Sequence, residues 1–547
     1  MVAEPAAPRD LSEEGPPPGL TVTEVAALAE ELAAYHAHFA PLFARREQRI
    51  WAKVYLRGLL TADVPRKNTE AMALRLLGAG DGAEARVRAL QQFIGEGGWD
   101  DDAILAEHRR LVDETLGEAD GVLIVDESAV PKRGEHSAGA ARQWCGARGK
   151  QENCQVGVFL GYASRKGYTL LDRRLYLPQE WFDADHRARW EACRIPDATA
   201  FASKADLAGR MVEAAVRGGI RARWLTCDEW YGRDTGFLDE AAGCGLHYFA
   251  EVAKHTMVWP LVESATGEAR ARPQTWVPPR NASGKGRTPV RARLQPDSPP
   301  SLRVDAIATA VGADRWQRYR ILEGARGPLV ADFAALRATA VRGGLPGPEV
   351  LLVLRRSLPD DGGQPELKFY LSNAPADTPL ATLVRVSGLR WPIESCFEEG
   401  KEEVGLDHYE LRCWRGWQHH MTLVLLAHHF LVRVRQRLDQ RGGGAPAADR
   451  RADRGCGDLP GRSARVRPAP SAPAGPAPHA NTAPGALAAS RGLATAGPRS
   501  DVGAGARGVL AAPQSRRLPV ASQTHARTPG GTGSVTETPL PPAIGWV

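Results

Sequence analysis

Three acidic residues occupy settings suited to chemistry at phosphorus. Asp126 follows the apolar run Val122-Leu123-Ile124-Val125, and Asp228 follows Ala222-Arg223-Trp224-Leu225-Thr226-Cys227. Glu394 lies in Arg390-Trp391-Pro392-Ile393-Glu394-Ser395-Cys396-Phe397-Glu398-Glu399-Gly400-Lys401. The two Asp residues read as carboxylates at the ends of buried strands. Glu394 reads as part of the first turn of a helix with basic neighbours. Carboxylates gathered from separate elements can hold two Mg²⁺ ions about 4 Å apart, which activate an attacking oxygen and stabilise a leaving one. Such hard oxygen ligands suit Mg²⁺, with Mn²⁺ as a substitute. Without cations the three would repel one another.

The helix reading of Glu394 rests on its neighbours. Trp391 precedes a proline and is disfavoured in the α region. Pro392 then takes the first helical position. Glu394 falls in the first turn, where the helix dipole favours an ionised carboxylate. Lys401, seven residues on, returns to within about 20° of the same face. From there it can reach a phosphate, as can Arg390 just before the helix. Glu398, one turn after Glu394, is a rival for the third acid. Glu127 and Glu229 follow the two Asp residues and should point to the opposite side of an extended strand.

The elements that must position these residues are legible in outline. Val122 to Val125 is continuous and apolar, as in a strand buried on both faces. Gln155 to Ser164 and Tyr168 to Leu177 read as two more strands, with a turn at Arg165-Lys166-Gly167. A helix over about 203–217 follows, with Ser203 as N-cap and Leu207, Met211 and Ala215 inward. The strand to Asp228 comes next. Strand, strand, strand, helix, strand is the order of an α/β, RNase H-like mixed sheet with flanking helices, in which Asp126 and Asp228 would sit side by side. Lys368 to Leu371 reads as a strand that returns to the core.

Upstream the pattern is helical. Thr21 and Glu24 have capping-box spacing. Arg45, Arg49, Lys53 and Arg57 recur every four residues, so they share one face of a helix. That stripe reads equally as a solvated face or as a phosphate contact. Ile50, Trp51 and Val54 should face a core. His419-His420 and His428-His429 fit core or surface histidines better than zinc ligands.

Composition excludes some classes. A net charge of +6 is too modest to imply a polyanionic partner by itself, so local basic clusters matter more. The cysteines are scattered without a CxxC pair, which argues against a disulfide scaffold or zinc ribbon and for a reducing cytoplasm. No apolar run reaches the length of a membrane span. From about residue 441 the text changes: it lacks Lys, Phe, Tyr and Met and is rich in Arg, Ala, Gly and Pro. Such a segment buries too little apolar surface to offset its ordering entropy. It reads as an Arg-rich arm or, preferably, as a shifted reading frame in GC-rich DNA.

These motifs carry a resemblance. The chain is similar to the DDE transposases of bacterial insertion sequences, in the group with a Tyr-x2-Arg-x3-Glu-x6-Lys signature. Arg390, Glu394 and Lys401 match that spacing, while Ser387 stands at the Tyr position. Val125-Asp126-Glu127-Ser128 and Cys227-Asp228-Glu229-Trp230-Tyr231-Gly232 resemble the two Asp segments. The match runs from about residue 45 to about residue 438, and its spacing favours Glu394 over Glu398. It implies catalytic, metal-binding Asp126, Asp228 and Glu394, with Arg390, Lys401, Arg45, Arg49, Lys53 and Arg57 on DNA. Residues 1–20, rich in Pro, Ala and Glu, read as disordered from their composition, and the resemblance implies an N-terminal helical DNA-binding domain over 21–118. A catalytic domain over 119–255 and 368–440 would be interrupted by a β-rich insertion over 256–367, before the tail of 441–547. The expected activity is Mg²⁺-dependent cleavage at transposon ends and strand transfer, by a homodimer on DNA at the bacterial nucleoid. Two rivals stand beside it: a catalytically decayed relative that only binds terminal repeats, and an RNase H-like nuclease without strand transfer.

Overall fold

The computed structural model describes residues 22–279, 288, 290–324, 327–358 and 365–441. Thr21, the first 20 residues and the tail beyond 441 lie outside the described residues.

Five helices come first: α1 (Val22–Phe39), α2 (Arg46–Leu59), α3 (Thr69–Leu77), α4 (Ala83–Gly95) and α5 (Asp101–Leu116). Then come β1 (Val122–Pro131), β2 (Ala141–Cys145), β3 (Lys150–Ser164), β4 (Gly167–Leu175), α6 (Arg187–Ala192) and α7 (Lys204–Arg217). A short strand β5 (Trp224–Cys227) leads to α8 (Glu229–Gly232), α9 (Thr235–Gly243) and β6 (His247–Val252). Next are β7 (Met257–Pro260), β8 (Thr275–Trp276), β9 (Arg293–Leu294), β10 (Leu302–Arg303) and α10 (Val304–Thr309). The long hairpins β11 (Gln317–Gly324), β12 (Gly327–Arg342) and β13 (Leu345–Ser357) precede β14 (Leu367–Ser372). Finally α11 (Leu380–Gly388), α12 (Pro392–Glu402) and α13 (Trp414–Arg441) close the described chain.

A 12-stranded mixed sheet forms the centre, in the order β10-β7-β12-β13-β14-β6-β5-β1-β3-β2, with β11 on β12 and β4 on β3. Strands β1, β5 and β6 run parallel, and β3 and β14 flank them antiparallel. The apolar run in β1 is buried on both faces, as its lack of alternation requires. Val122 and Ile124 enter one core with residues of α11, α12, α13 and the N-terminal helices. Leu123 and Val125 enter a second core with residues of α7 and α9. Ser203 caps α7, its hydroxyl accepting from the Asp206 N–H, and Leu207, Met211 and Ala215 are buried. This is the α/β sheet with flanking helices of an RNase H-like fold.

Two expectations are corrected. Residues 256–367 are not wholly an excursion from the sheet: β7, β10, β12 and β13 extend it beyond β14, and only β8 and β9 pair apart as a two-stranded sheet among the described residues. A strand such as β14, paired to β6 on one side, offers a row of N–H and C=O groups on the other, and β13 satisfies them. In α2 the inward residues are Ala52, Tyr55, Leu56 and Leu59. Trp51 and Val54 only flank that core, and Ile50 is 39% exposed. The apolar face of α2 is thus set by Tyr55 and its neighbours, one step round from the face inferred for Ile50.

The helices preceding β1 share the core of the sheet, and buried charge ties them to it. Asp101, at the start of α5, accepts from Arg173 of β4 at 3.0 Å and from the Thr422 hydroxyl of α13. His419 Nδ1 lies 2.7 Å from the other Asp101 oxygen, and its Nε2 lies 2.7 Å from the Gly97 carbonyl. Both ring nitrogens thus face oxygen atoms, one of Asp101 and one of the Gly97 backbone. His419 also stacks on Trp99. The paired histidines are therefore structural: His420 bonds Tyr55 and Gly405, His428 bonds Thr169 and Glu399, and His429 bonds Tyr35. Removing one partner of such a set leaves uncompensated buried charge. Asp101→Asn should destabilise the fold by about 3–5 kcal/mol in urea denaturation. A loss below about 1 kcal/mol would show that the set is dispensable.

Candidate active site

Strand register decides what meets what. The last parallel pair between β1 and β5 is Val125↔Cys227, and the last between β5 and β6 is Cys227↔Ala250. One residue further on, in every strand, stands an acid: Asp126, Asp228 and Glu251. Side chains alternate across a sheet, so these three share the face of Ile124 and Phe249. That is the face covered by α11 and α12. Glu127 belongs to the other face and pairs with Lys204 of α7 at 2.7 Å.

Each acid is held differently. Strand β1 continues five residues past Asp126, whose carboxylate accepts from the Glu127 N–H at 2.7 Å. Asp228 caps α8, accepting from the N–H groups of Trp230 and Tyr231 at 3.0 and 3.2 Å. Glu229 therefore starts a helix, which corrects the expectation that it continues an extended strand. This helix lies so close to β6 that a Cβ on Gly232 would stand 1.9 Å from the Glu251 carbonyl oxygen, which explains the glycine. Glu251 pairs with Lys368 of β14 at 3.1 Å.

The third predicted acid comes from α12. Pro392 occupies the start of the helix and Glu394 its first turn. Trp391 departs from expectation: its φ of −58° and ψ of −35° are α-helical. Only Leu389 to Trp391 join α11 to α12, and the Glu394 N–H closes this tight junction on the Trp391 carbonyl at 2.9 Å. Ser387 donates to the Val384 carbonyl within α11 at 2.7 Å.

Arg390 gathers the site. Its guanidinium lies 2.7 Å from Glu394 and 3.5 Å from Asp126. Burial opposes its charge, but Asp126, Glu394, Glu251 and Asp228 outweigh burial and hold it above its ordinary range. Burial, and then the like charge of Asp228, pushes the Asp126 carboxyl up to about 7. Burial likewise raises Asp228, against the pull of the Tyr231 N–H and Arg390. Among the described residues, no group of three or more His, Cys, Asp and Glu side chains converges closely enough to hold a metal ion. The carboxylates converge on the guanidinium instead. Their chemistry nevertheless fits a hard divalent cation: they are oxygen donors, crowded and partly desolvated, with like charges side by side.

The other predicted contacts are spread out. Lys401 lies half-buried in the last turn of α12, and Glu398 is exposed. Arg45, Arg49, Lys53 and Arg57 are exposed along α2, Arg49 donating to the Phe43 carbonyl at 3.0 Å. Glu251 was missed, although Leu246-His247-Tyr248-Phe249-Ala250 before it repeats the apolar run that marks the other acids.

The family described as DDE superfamily endonuclease matches residues 38–328, more than half of the chain. The chain belongs to that superfamily. The matched stretch includes Asp126 and Asp228 and stops before Glu394. Membership makes this a nucleic-acid-cleaving enzyme of transposase or nuclease type that acts on DNA. No curated protein matches the chain. Among the described residues, no helix is long and apolar enough to cross a membrane.

Glu399 anchors α12 from its far side. Its carboxylate accepts from Tyr168 of β4 at 2.9 Å and from His428 and Arg435 of α13, both at 3.1 Å. Burial alone would raise it. The His428 hydrogen bond, with the charges of His428 and Arg435 and the Tyr168 hydroxyl, overrides burial and holds the carboxyl at about 2. A depressed folded pKa stabilises above the unfolded value of 4.5 and is lost as pH falls towards 2. Glu399→Gln should therefore lower stability at pH 7 by about 2 kcal/mol. The difference from wild type should shrink in thermal melts below pH 4.5. A difference that stays constant with pH would count against an ionised anchor.

Proposed function

We propose that this protein cuts DNA at the ends of a mobile element and joins those ends to a target. The observation that carries the reading is the in-register placement of Asp126 and Asp228 on the sheet face covered by α11 and α12, with Glu394 in the first turn of α12 and Arg390 between Asp126 and Glu394. Asp126, Asp228 and Glu394 would hold divalent cations, Mg²⁺ or Mn²⁺. Bound there, the cations would activate the attacking oxygen and stabilise the leaving one. Glu394 stands in the first turn of α12. The two N–H bonds at the start of α8 oppose the burial that raises Asp228, and they fix one carboxylate oxygen while leaving the other to turn towards the site. Arg390 and Lys401 position a phosphate, and the exposed face of α2 tracks the DNA backbone. Two copies acting on two ends, at the nucleoid, complete the reading.

Asp126→Asn, Asp228→Asn and Glu394→Gln should each abolish divalent-dependent nicking of DNA carrying the element's own ends, and each should spare DNA binding measured without divalent cation. Asn caps a helix as well as Asp does, so Asp228→Asn isolates the lost charge. The losses should not add, because one missing ligand disables the whole site. Glu398→Gln should keep most of the activity, and Lys401→Ala should lose less than Glu394→Gln. Equal cleavage by wild type and Glu394→Gln would remove the third acid from this reading. Transfer of a free 3′-OH end into a second duplex separates a transposase from a nuclease.

The stripe has its own test. Replacing Arg45, Arg49, Lys53 and Arg57 together by Ala should weaken binding. It should also flatten the slope of log affinity against log salt, by about 0.9 for each phosphate that is no longer neutralised. An unchanged slope would make the stripe a solvated face.

A further inference from the structure

We propose that Arg390 is an exchangeable internal cation: it neutralises the acid cluster until a DNA phosphate draws it away, so that DNA and divalent cation enter the site cooperatively. The inference rests on the reading that Asp126, Asp228 and Glu394 hold a divalent cation. Its basis is the contact geometry. The guanidinium touches Glu394 at 2.7 Å and Asp126 at 3.5 Å, and so uses oxygens that a cation would need. A guanidinium cannot make room by losing its proton. It must move, and the fold lets it. Arg390 lies in the junction between α11 and α12 and belongs to neither helix, so its long side chain can swing while both helices stay packed.

Glu394 is 37% exposed on its side chain, so a phosphate in the surrounding solvent lies within reach of the same guanidinium. Phosphate offers the planar fork a bidentate partner as good as the carboxylate it leaves. Glu251 keeps its own counter-charge from Lys368 at 3.1 Å. The departure of Arg390 therefore uncovers Asp126, Asp228 and Glu394 in particular. Their mutual repulsion then favours a divalent cation. Linkage makes the effect reciprocal: whatever factor DNA gives to cation affinity, the cation gives to DNA affinity.

The test is Mn²⁺ titration of the full chain, with free Mn²⁺ read by electron paramagnetic resonance. Without DNA, Arg390→Gln should bind Mn²⁺ about tenfold tighter than wild type or more, equivalent to about 1.4 kcal/mol. Adding Asp126→Asn to that variant should cancel the gain. Arg390→Lys keeps a cation and should remain weak, which controls for misfolding. Duplex DNA of mixed sequence should tighten Mn²⁺ binding by wild type and change Arg390→Gln little. Binding by Arg390→Gln that is no tighter than wild type would overturn the proposal, as would a gain that survives Asp126→Asn. If no variant binds Mn²⁺ with or without DNA, the metal-dependent reading itself falls, and this inference falls with it.

Discussion

The register of three parallel strands is the constraint on which the rest depends. In β1, β5 and β6 the last shared row is Val125, Cys227 and Ala250, and the next row is Asp126, Asp228 and Glu251. A slip of one residue in any strand would turn its acid to the α7 face, because side chains alternate. Burial on both faces forbids that slip. Leu123 and Val125 fill one core while Val122 and Ile124 fill the other, so every misregister exposes or displaces apolar volume on two sides. The position of the carboxylates is thus secured by hydrocarbon packing and not by the carboxylates themselves, which repel.

Packing that supports such a row must be stiff on the helical side as well. The helix α12 carries Glu394 at its start and is pinned to β4 and α13 through Glu399. In turn α13 is tied to α5 and β4 by the Asp101, Arg173, His419 and Thr422 set. Charges this deep gain little net stability over a hydrocarbon core, but they penalise any arrangement that leaves one unpaired. They link the helices preceding β1 to the sheet, so that part of the chain forms a continuous buttress.

Much of this was legible in the chain. The apolar runs before Asp126 and Asp228 marked buried parallel strands, and Ser203, read as an N-cap, marked the start of α7. What escaped did so for physical reasons. Asp228 looked like a strand-end ligand because a one-turn helix such as α8 has no periodicity to read; its role as a cap shows only in three dimensions. Trp391 obeyed the tight α11–α12 junction over the local preference of a pre-proline residue. Glu251 escaped because β6 was not recognised as a third strand beside β5. The extension through β12 and β13 could not be foreseen, since sheet-edge pairing joins residues whose partners lie far away in sequence.

The arrangement also explains why so many charges share so little space. Four acids and two cations, Arg390 and Lys368, meet along one sheet face and the helices over it. The acids cannot spread, because strand register and the α8 and α12 termini fix their backbones. Lys368 stands on a strand within the sheet and is fixed in the same way. Of the two cations, only Arg390 is anchored in a junction, so the charge balance of the site can change by moving one side chain. A site built from rigid anions needs a mobile counter-charge if it is to admit a different cation, and the sequence supplies it four residues before Glu394.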